Sequence, residues 1–304
     1  MYDVIIVGGG PAGLSAAEIL GRCRRRVLVC DAGQPRNSHA RAVHAFLTRD
    51  GAPPAELLAL ARAELRRYDT VEYHHTIVTG AARVDNQFEV TVQSGERFRS
   101  RKLLLATGVV DEIPPIEGID EFHGRSVFHC PYCDAWEWRD QPLAVYGRNS
   151  SACRFAVDLT LWSKDMAFVS DGAEVSVDDR ALLEAWHIGI FTQKIDRLEG
   201  RDGHLERIRF ADGQALARRA MFFSSGQYKR QALADRLGCD FTDKGCISVD
   251  DYGAANVPGL YAAGDVTKLS QMVVIAASEG LQAGIVINKA LLKEDQTSEG
   301  IFDF

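Results

Sequence analysis

The glycine-rich turn near the N-terminus constrains the fold more than any other part of the sequence. Tyr2–Val7 is a continuous apolar run of strand length, and the glycines of Gly8-x-Gly10-x-x-Gly13 follow it directly. Such a run is typical of a parallel strand that is buried on both faces. The first glycine permits a tight turn, the second lets a pyrophosphate approach the backbone, and the third lets the next helix pack on the strand. Leu14–Leu20 is predicted to be that helix.

A second strand, Val27–Cys30, completes a βαβ unit and ends at Asp31. An acid at this position accepts hydrogen bonds from ribose hydroxyls, while the phosphates meet the positive end of the helix dipole. The pattern therefore predicts a dinucleotide site. The turn residues predicted to line it are Gly8, Gly10, Pro11, Ala12 and Gly13.

A similar pattern recurs in the middle of the chain. Pro142–Gly147 is again an apolar strand that ends at a glycine, and residues 152–162 are predicted to form its helix. The proline pair at 114–115 cannot continue a helix or central strand and indicates a linker. The predicted fold is α/β with two Rossmann-like βαβ domains, the second inserted in the first. Residues 1–112 and 247–304 would form the first domain and 113–246 the second.

Composition excludes several other classes. Lys plus Arg number 35 and Asp plus Glu number 42, so the net charge is 35 − 42 = −7, which argues against a nucleic-acid partner. No apolar run is long enough to span a membrane, and the N-terminus lacks the basic start of a signal peptide. Seven cysteines are too few for a secreted disulfide scaffold. We therefore expect a cytoplasmic protein with no membrane association.

Cys130-Pro131-Tyr132-Cys133 is the second motif that carries chemistry. A zinc site normally needs a second cysteine or histidine pair, and the other cysteines offer no close pair, so we expect no metal. Buried structural thiols are a further alternative, and a glutaredoxin-like site shares the same four letters in a much smaller domain. In a βαβ context the motif favours a redox pair, because the partner thiol and a local helix start lower a thiol pKa.

Three motifs together carry a family resemblance. The glycine turn, the strand end Ala106-Thr107-Gly108 and the segment Val257–Asp265 resemble FAD-dependent pyridine-nucleotide disulfide oxidoreductases. With Cys130–Asp134 in the central block, the chain resembles the low-molecular-weight thioredoxin reductases. The resemblance implies FAD as cofactor and a homodimer. It also implies that Gly264 and Asp265 hold the ribityl chain, and that a helix begun at Gln271-Met272-Val273 points its N-terminus at the flavin.

The same resemblance assigns roles around the cysteine pair. Cys133 would exchange electrons with the flavin, and Cys130 would attack the substrate or be attacked by it. Asp134 would shuttle a proton, and His129 is a second candidate base. The implied substrates are a thioredoxin-like protein or a small dithiol or disulfide.

The central glycine turn departs from the family pattern. It reads Gly147-Arg148-Asn149, so that a side chain stands where a glycine would let the pyrophosphate approach. The next strand is followed by Asp171, which would repel a 2′-phosphate, and Ser224–Tyr228 replaces the usual glycine–proline–asparagine signature. NADPH is therefore not expected in the usual mode. The alternative is that Asn149 adopts a left-handed backbone and NADH or NADPH still binds.

Without NADPH, the electron partner would be ferredoxin, a second flavin or oxygen. Cys130–Cys133, Pro35-Arg36-Asn37 and the run His44–Gly51 resemble two groups: oxygen-using dithiol oxidases, and ferredoxin- or diflavin-linked disulfide oxidoreductases. The aromatic C-terminus, Ile301–Phe304, is interpreted either as a frayed end or as a cover for the flavin. A redox-inert nucleotide-binding module is the alternative from another functional class.

Overall fold

The computed structural model describes residues 1–224, 227–229 and 232–298, and the chain folds as two compact units. The first unit contains the described residues of Met1–Ser38, Pro54–Val110 and Tyr228–Phe304, and the second contains His39–Pro53 and Asp111–Gln227. The second unit is therefore inserted in the first. The observed bounds differ from the expected 1–112, 113–246 and 247–304 at two long segments, 39–53 and 228–246, and by two residues at 111–112.

Both differences have a physical cause. Ala234 and Cys239 are buried in the core of the first unit, so the described residues just after 228 fold with that unit. Residues 39–53 fold with the second unit, where the ring of His39 packs at 5.4 Å from that of His123.

The described residues contain seventeen strands and eight α-helices. The strands are β1 Tyr2–Val7, β2 Val27–Asp31, β3 Val71–His75, β4 Val78–Val84, β5 Gln87–Val92, β6 Arg97–Leu105, β7 Val109–Asp111, β8 Val127–Phe128, β9 Leu143–Tyr146, β10 Met166–Val169, β11 Gly189–Phe191, β12 Ile195–Arg201, β13 His204–Phe210, β14 Ala215–Ala217, β15 Ala220–Phe223, β16 Gln227–Lys229 and β17 Leu260–Ala262. The helices are α1 Pro11–Arg22, α2 Pro54–Leu65, α3 Ile119–Phe122, α4 Pro131–Asp134, α5 Ser150–Leu159, α6 Val177–Ala185, α7 Ala232–Leu237 and α8 Val273–Ser298. A short 3₁₀ helix, Ala135–Trp138, follows α4 directly.

The first unit is built on a seven-stranded sheet. Its order is β3-β2-β1-β6-β5-β4, and β17 also pairs with β6. The strands β3, β2, β1, β6 and β17 pair in parallel, whereas β4, β5 and β6 pair antiparallel. Because the carboxyl ends of β1, β2 and β6 meet at one edge, Gly8, Asp31 and Ala106 are brought to the same side of the sheet.

The side chains of β1 alternate between two core clusters, one on each face of the sheet. Val4 and Ile6 belong to one core cluster, which includes residues of α1 and α8, while Ile5 and Val7 belong to another on the opposite face. Successive strand side chains point to opposite faces, so an unbroken apolar run is required when both faces are buried. The N-terminal run is therefore a central strand, as predicted.

The second unit contains a five-stranded parallel sheet and a three-stranded antiparallel sheet. The parallel order is β11-β10-β9-β15-β8, and the antiparallel order is β12-β13-β14. Leu143 and Val145 of β9 pack with α5 in one core cluster, and Ala144 and Tyr146 pack in another that includes residues of β12 and β13. Both units therefore repeat the strand–turn–helix arrangement that the sequence predicts.

Helix ends differ from the sequence-based expectation by a few residues. α1 begins at Pro11, because proline is well accommodated at the first helical position. α8 begins at Val273, two residues later than expected, and extends to Ser298. Within the described part of the chain, no helix is both long and apolar enough to cross a membrane.

Candidate active site

The turn between β1 and α1 is shaped for a phosphate group. A Cβ atom at Gly8 would lie 2.1 Å from the Ala106 carbonyl oxygen, and one at Gly13 would lie 1.9 Å from the Gly8 carbonyl oxygen. Nothing lies within 4 Å of the corresponding position at Gly10, so this face of the turn is open. No side chain caps the start of α1, and its first residue, Pro11, has no N–H to donate. The remaining N–H groups of the first turn, beginning at Ala12, suit the pyrophosphate of FAD.

The Asp31 carboxylate lies at the end of β2 and is mostly buried. It accepts hydrogen bonds from the Gly33 N–H (3.0 Å) and the Tyr73 hydroxyl, and Arg62 Nη1 lies 3.7 Å away. Burial and the bond to Asp31 raise the pKa of Tyr73 to about 12, so the phenol stays a donor at neutral pH. Asp31 occupies the position where this type of fold binds the adenosine ribose. No sequence signal points to Tyr73 or Arg62, because their proximity depends on the register of β3 against β2.

The segment before α8 forms a second part of the predicted flavin site. Arg36 Nη1 donates to Asp265 Oδ2 (3.1 Å) and to Gln271 Oε1 (2.6 Å). The Met272 carbonyl accepts a hydrogen bond from the Ala276 N–H (2.9 Å), so Gln271 and Met272 precede the helix rather than begin it. The positive N-terminal end of α8 starts at Val273, next to these side chains.

Glu279 of α8 holds the turn that carries Asp265. Its Oε2 accepts from the Gly264 N–H (2.8 Å) and the Thr267 hydroxyl (3.0 Å), and its Oε1 pairs with Lys268 (2.7 Å). Gly264 has φ of +85°, which a side chain would strain. Sequence reasoning misses Glu279 because a single acid within a helix does not indicate what it contacts.

The strand end Ala106–Gly108 lies beside the glycine turn. The Ala106 N–H donates to the Val7 carbonyl (2.8 Å), which continues the pairing of β6 with β1. Gly108 has φ of +64°, so the chain turns after Thr107 in a conformation that favours glycine. The residues predicted for FAD in the first unit are thus placed at the carboxyl edge of one sheet and before α8, and the open turn fits this cofactor.

In the second unit, Cys130 and Cys133 form a disulfide. Their Cα atoms are 5.3 Å apart, and both residues are partly exposed. Cys130 is extended and precedes α4, while Pro131 is the first helical residue. Proline suits the first helical position, because its fixed φ matches the helix and its missing N–H is not needed there.

Asp134 follows Cys133 directly and is the strongly perturbed carboxyl group of this site. Burial raises its pKa from 3.8 to about 7; His44 opposes that shift and Glu137 adds to it. A carboxyl group that titrates near neutrality suits proton transfer to and from a thiol.

His129, which precedes Cys130, faces a second carboxylate. Its Nε2 lies 3.7 Å from Asp111 Oδ2, and the Asp111 side chain is only 8% exposed. The ring of Phe223 also lies near His129, 6.0 Å away between centroids. The buried acid would stabilise the protonated imidazole and hold its orientation.

The central glycine turn is arranged differently from the first one. Asn149 is extended (φ −153°), and its Oδ1 accepts a hydrogen bond from the Ala152 N–H (3.0 Å) at the start of α5. The left-handed backbone considered for Asn149 is therefore not adopted, because the capping bond holds the residue extended. Ser150 donates to Asp179 Oδ2 (2.7 Å), which places a carboxylate against the first residue of α5.

Asp171, the residue expected to repel a 2′-phosphate, lies just after β10. Its Oδ1 accepts a hydrogen bond from the Ile195 N–H (2.8 Å). The Ser224–Tyr228 segment includes Ser225 and Gly226, which lie outside the described residues, as does the Ile301–Phe304 tail. In the part of the chain that the structure describes, no three His, Cys, Asp or Glu side chains cluster in a way that could hold a metal.

An apolar surface borders the disulfide. Pro131, Tyr132, Phe155 and Trp162 line a shallow groove there together with Asp158 and Leu161. Tyr132 is 73% exposed and Leu161 is 76% exposed. Trp138 packs against Phe128 at 6.1 Å, whereas Trp136 stays exposed under the guanidinium of Arg139.

Comparisons with known proteins agree with this geometry. The family model for pyridine nucleotide-disulphide oxidoreductases matches residues 2–280. A probable thioredoxin reductase of Arthroderma benhamiae is 33% identical over 87% of this chain and 74% of its own length. Thioredoxin reductase tcpT of Claviceps purpurea is 32% identical and covers 99% of this chain and 98% of its own. The crystal structure of HlmI has a TM-score of 0.95 at 35% identity, covering 98% and 95% of the two chains.

The chain therefore belongs to the pyridine nucleotide-disulphide oxidoreductase family, among its thioredoxin reductase-like flavoproteins. It is an oxidoreductase, and the family supports FAD as its cofactor. The predicted family and the predicted α/β fold with two Rossmann-type units are both confirmed.

Proposed function

We propose that this enzyme exchanges two electrons between FAD and the Cys130–Cys133 pair, and then between that pair and a thiol or disulfide substrate, without taking electrons from NADPH. The proposal that NADPH is not the electron donor rests on the contrast between the two glycine turns. The turn before α1 has no side-chain cap and is open at Gly10, whereas the start of α5 is capped by Asn149 and faces Asp179.

The charge and the free N–H groups at the start of α5 determine how well a pyrophosphate can bind there. A nucleotide pyrophosphate needs free N–H groups and a positive potential at a helix N-terminus. At α5 the Ala152 N–H already donates to a side chain, and the Asp179 carboxylate is bound to Ser150. Hydrogen bonds from Ser150 and Ser176 lower the pKa of Asp179, so the group is charged at neutral pH and repels phosphate.

The chemistry at the pair is thiol–disulfide exchange. A dithiol substrate attacks Cys130 Sγ through one thiolate, which breaks the Cys130–Cys133 bond and forms a mixed disulfide. The second substrate thiolate then closes the substrate disulfide and releases Cys130 as a thiolate. Two electrons have then moved to the pair. Bound FAD would accept them as the pair re-forms its own disulfide, and Asp134 and His129 would take up or return the protons. Reduction of a thioredoxin-like protein is the same sequence in reverse.

An anaerobic mixing experiment tests this function. The holoenzyme is mixed in separate runs with NADPH, NADH and dithiothreitol, and the visible flavin absorbance is followed. We expect only the dithiol to bleach the flavin rapidly. The Cys133→Ser variant should lose this bleaching and any thiolate–flavin charge-transfer band. Cys23→Ser is the matched control, because Cys23 is exposed and lies outside the pair.

Other results of the mixing experiment would contradict the proposal or refine it. Rapid bleaching by NADPH or NADH would contradict the nicotinamide-independent function and leave an ordinary NAD(P)H-dependent reductase. A purified protein that carries no flavin and whose Cys133→Ser variant is indistinguishable would indicate the redox-inert module. If the proposal holds, adding oxygen and measuring peroxide separates a dithiol oxidase from a reductase supplied by ferredoxin or a second flavin.

A further inference from the structure

The side chain of His44 lies between two carboxylates in the unit that carries the disulfide. His44 Nδ1 is 3.4 Å from Asp50 Oδ1, and Nε2 is 3.6 Å from Glu137 Oε1. Only 20% of the His44 side chain is exposed. Glu137 belongs to the 3₁₀ helix that directly follows the Cys130–Asp134 segment, so His44 joins the 39–53 segment to the cysteine site.

The 39–53 segment is held in a fixed shape by backbone bonds. Val43 and Ala52 form an antiparallel bridge, in which the Val43 N–H donates to the Ala52 carbonyl (2.8 Å). The Asp50 carboxylate also accepts from the Ala45 N–H (2.8 Å), so the acid beside His44 is tied to the same turn. The backbone of the segment therefore places the imidazole, and the side chains of Asp50 and Glu137 that face it are 68% and 42% exposed.

Two charged side chains act on Asp134 from different elements. His44 comes from the 39–53 segment and, when protonated, favours the Asp134 carboxylate. Glu137 comes from the 3₁₀ helix and disfavours it, as does burial. Asp50 acts on this balance through His44, since it faces the other ring nitrogen.

We infer that His44 is a positioning residue for the cysteine pair: it keeps Asp134 in the ionised form that can accept a thiol proton, and Glu137 opposes it. The inference rests on the proposed function, in which Asp134 moves protons for Cys133. In the step concerned, the Cys133 thiol gives its proton to the Asp134 carboxylate and becomes a thiolate. Cys130 Sγ, already a thiolate after the exchange step, bonds to Cys133 Sγ as the disulfide re-forms, and bound FAD would accept the electron pair that leaves. The neutral Asp134 later returns its proton to water.

The test compares two substitutions with opposite expected effects. The rate of flavin bleaching by dithiothreitol is measured anaerobically from acid to alkaline pH in the holoenzyme. His44→Asn should move the acid limb of this profile upward by about one pH unit, which is about tenfold slower bleaching on the limb. Glu137→Gln should move it downward. His44→Gln is a second variant in case the shorter amide disturbs folding.

A second readout follows the thiols themselves. The reduced holoenzyme, in a Cys23→Ser background, is alkylated with iodoacetamide over the same pH range, and labelling of Cys130 and Cys133 is resolved by mass spectrometry. Buried thiols interfere little, because burial raises the pKa of Cys30 to about 12 and those of Cys153 and Cys239 to about 11. The labelling profile of Cys133 should shift in the same directions as the bleaching profile.

The Asp134→Asn variant separates failure of the inference from failure of the function. If Asp134→Asn removes the acid limb while His44→Asn and Glu137→Gln leave its position unchanged, the role of His44 is wrong and the proposed chemistry stands. If Asp134→Asn itself leaves the limb in place, Asp134 is not the proton carrier and both assignments are overturned. The inference is supported if His44→Asn and Glu137→Gln move the acid limb in opposite directions and if neither substitution moves it in the Asp134→Asn background.

Discussion

At the residue scale, Asp134 shows how strongly one partly buried carboxyl group can affect stability. Its pKa in the folded protein is raised from 3.8 to about 7, so the ionised form is less favourable folded than unfolded. Well below pH 3.8 the carboxyl group is neutral in both states and costs nothing. As pH rises from about 4 to about 7, the unfolded chain releases its proton first, and the folded state loses stability. Above pH 7 the full cost is present.

Asp134→Asn should therefore stabilise the protein at pH 8 and stabilise it far less at pH 4. The shift of about three units sets an upper bound of about 4 kcal/mol on the gain in the free energy of unfolding. Urea unfolding followed by tryptophan fluorescence measures it. All four tryptophans, at positions 136, 138, 162 and 186, lie in the same unit as Asp134, so the signal reports that unit. A gain that is equal at both pH values would show that the buried charge is not its source.

The carboxylate that faces His129 leads to a second prediction. Asp111→Asn removes the buried negative charge 3.7 Å from Nε2, so the protonated imidazole next to Cys130 becomes less stable. Alkylation of reduced Cys130 at neutral pH should slow by roughly threefold to tenfold. Asp120→Asn, at an exposed position of α3, is the control and should leave the rate unchanged. If the alkylation rate is unchanged in Asp111→Asn, His129 does not contribute to the reactivity of Cys130.

Sequence reasoning finds the residues of this site that stand in motifs and misses those that meet them from elsewhere. Cys130, Cys133, Asp134, Asp31 and the glycines have fixed spacing, which is visible without a structure. Glu279, Tyr73 and Asp179 carry no such spacing, because their contacts depend on strand register and on the packing of distant helices. His44 stands in a run that carries a family resemblance, but its contact with Glu137 could not be derived.

At the scale of the element, the starts of α1 and α5 differ in how their N–H groups are satisfied. Gly10 provides no cap for α1, and Asn149 caps α5. An N-cap side chain contributes about 1 kcal/mol to stability, whereas an uncapped helix start depends on water or a bound ligand. The turn that is predicted to bind FAD is thus the one that leaves its donors available.

Substitutions at Asn149 measure the contribution of this cap. Asn149→Ala should lower the free energy of unfolding by about 1 kcal/mol, because the Ala152 N–H loses its acceptor. Asn149→Ser keeps an acceptor and should unfold close to the unsubstituted protein, and Asn149→Gly should lose only a few tenths of a kcal/mol. Urea unfolding by tryptophan fluorescence again reports the relevant unit. A loss in Asn149→Ala no larger than in Asn149→Ser would show that the bond contributes nothing.

The elements themselves were predictable where a hydrophobic pattern repeats. β1, β9 and β10 are buried on both faces, and their unbroken apolar runs identify them directly. The backbone of Asn149 was not predictable, since asparagine is compatible with both a left-handed turn and an extended cap. The neighbouring N–H group decides between them, and that group is only in place once α5 has formed.

At the scale of the whole molecule, α1 and α8 bring together parts of the chain that are far apart in sequence. A Cβ atom at Gly280 of α8 would lie 1.9 Å from the Ala12 carbonyl oxygen in α1. Because that contact is with backbone, a larger residue must separate the helices. Gly264 also lies close to Ala12, since a Cβ atom there would be 3.0 Å from the Ala12 Cβ atom. The glycine turn and the Asp265 turn therefore depend on one helix contact.

Gly280→Ala should consequently weaken FAD binding and lower the stability of the first unit by about 1–3 kcal/mol. The temperature at which flavin fluorescence appears on heating measures release of the cofactor, and it should fall. Ser278→Ala, at an exposed position of the same helix, is the control and should release FAD at the temperature of the unsubstituted protein. Equal release temperatures for the two variants would mean that the helices can separate without cost to the site.

The order of the units along the sequence was partly predictable. The insertion of one βαβ domain in another follows from the two strand–glycine patterns. The sequence of the 39–53 segment shows no hydrophobic periodicity typical of a helix or a strand, so it does not indicate that the segment folds with the second unit. Its place is decided by long-range contacts such as that between His39 and His123.

This segment has a consequence for the way such a molecule can be divided or inherited. The chain passes from one unit to the other after residues 38, 53, 110 and 227. The second unit therefore cannot be excised as one continuous segment, and a gene exchange that replaced 111–227 alone would separate His44 from its native Glu137. Because the cysteine pair and His44 are encoded apart, a hybrid with a relative would need both segments, 39–53 and 111–227, to be exchanged together to keep them matched.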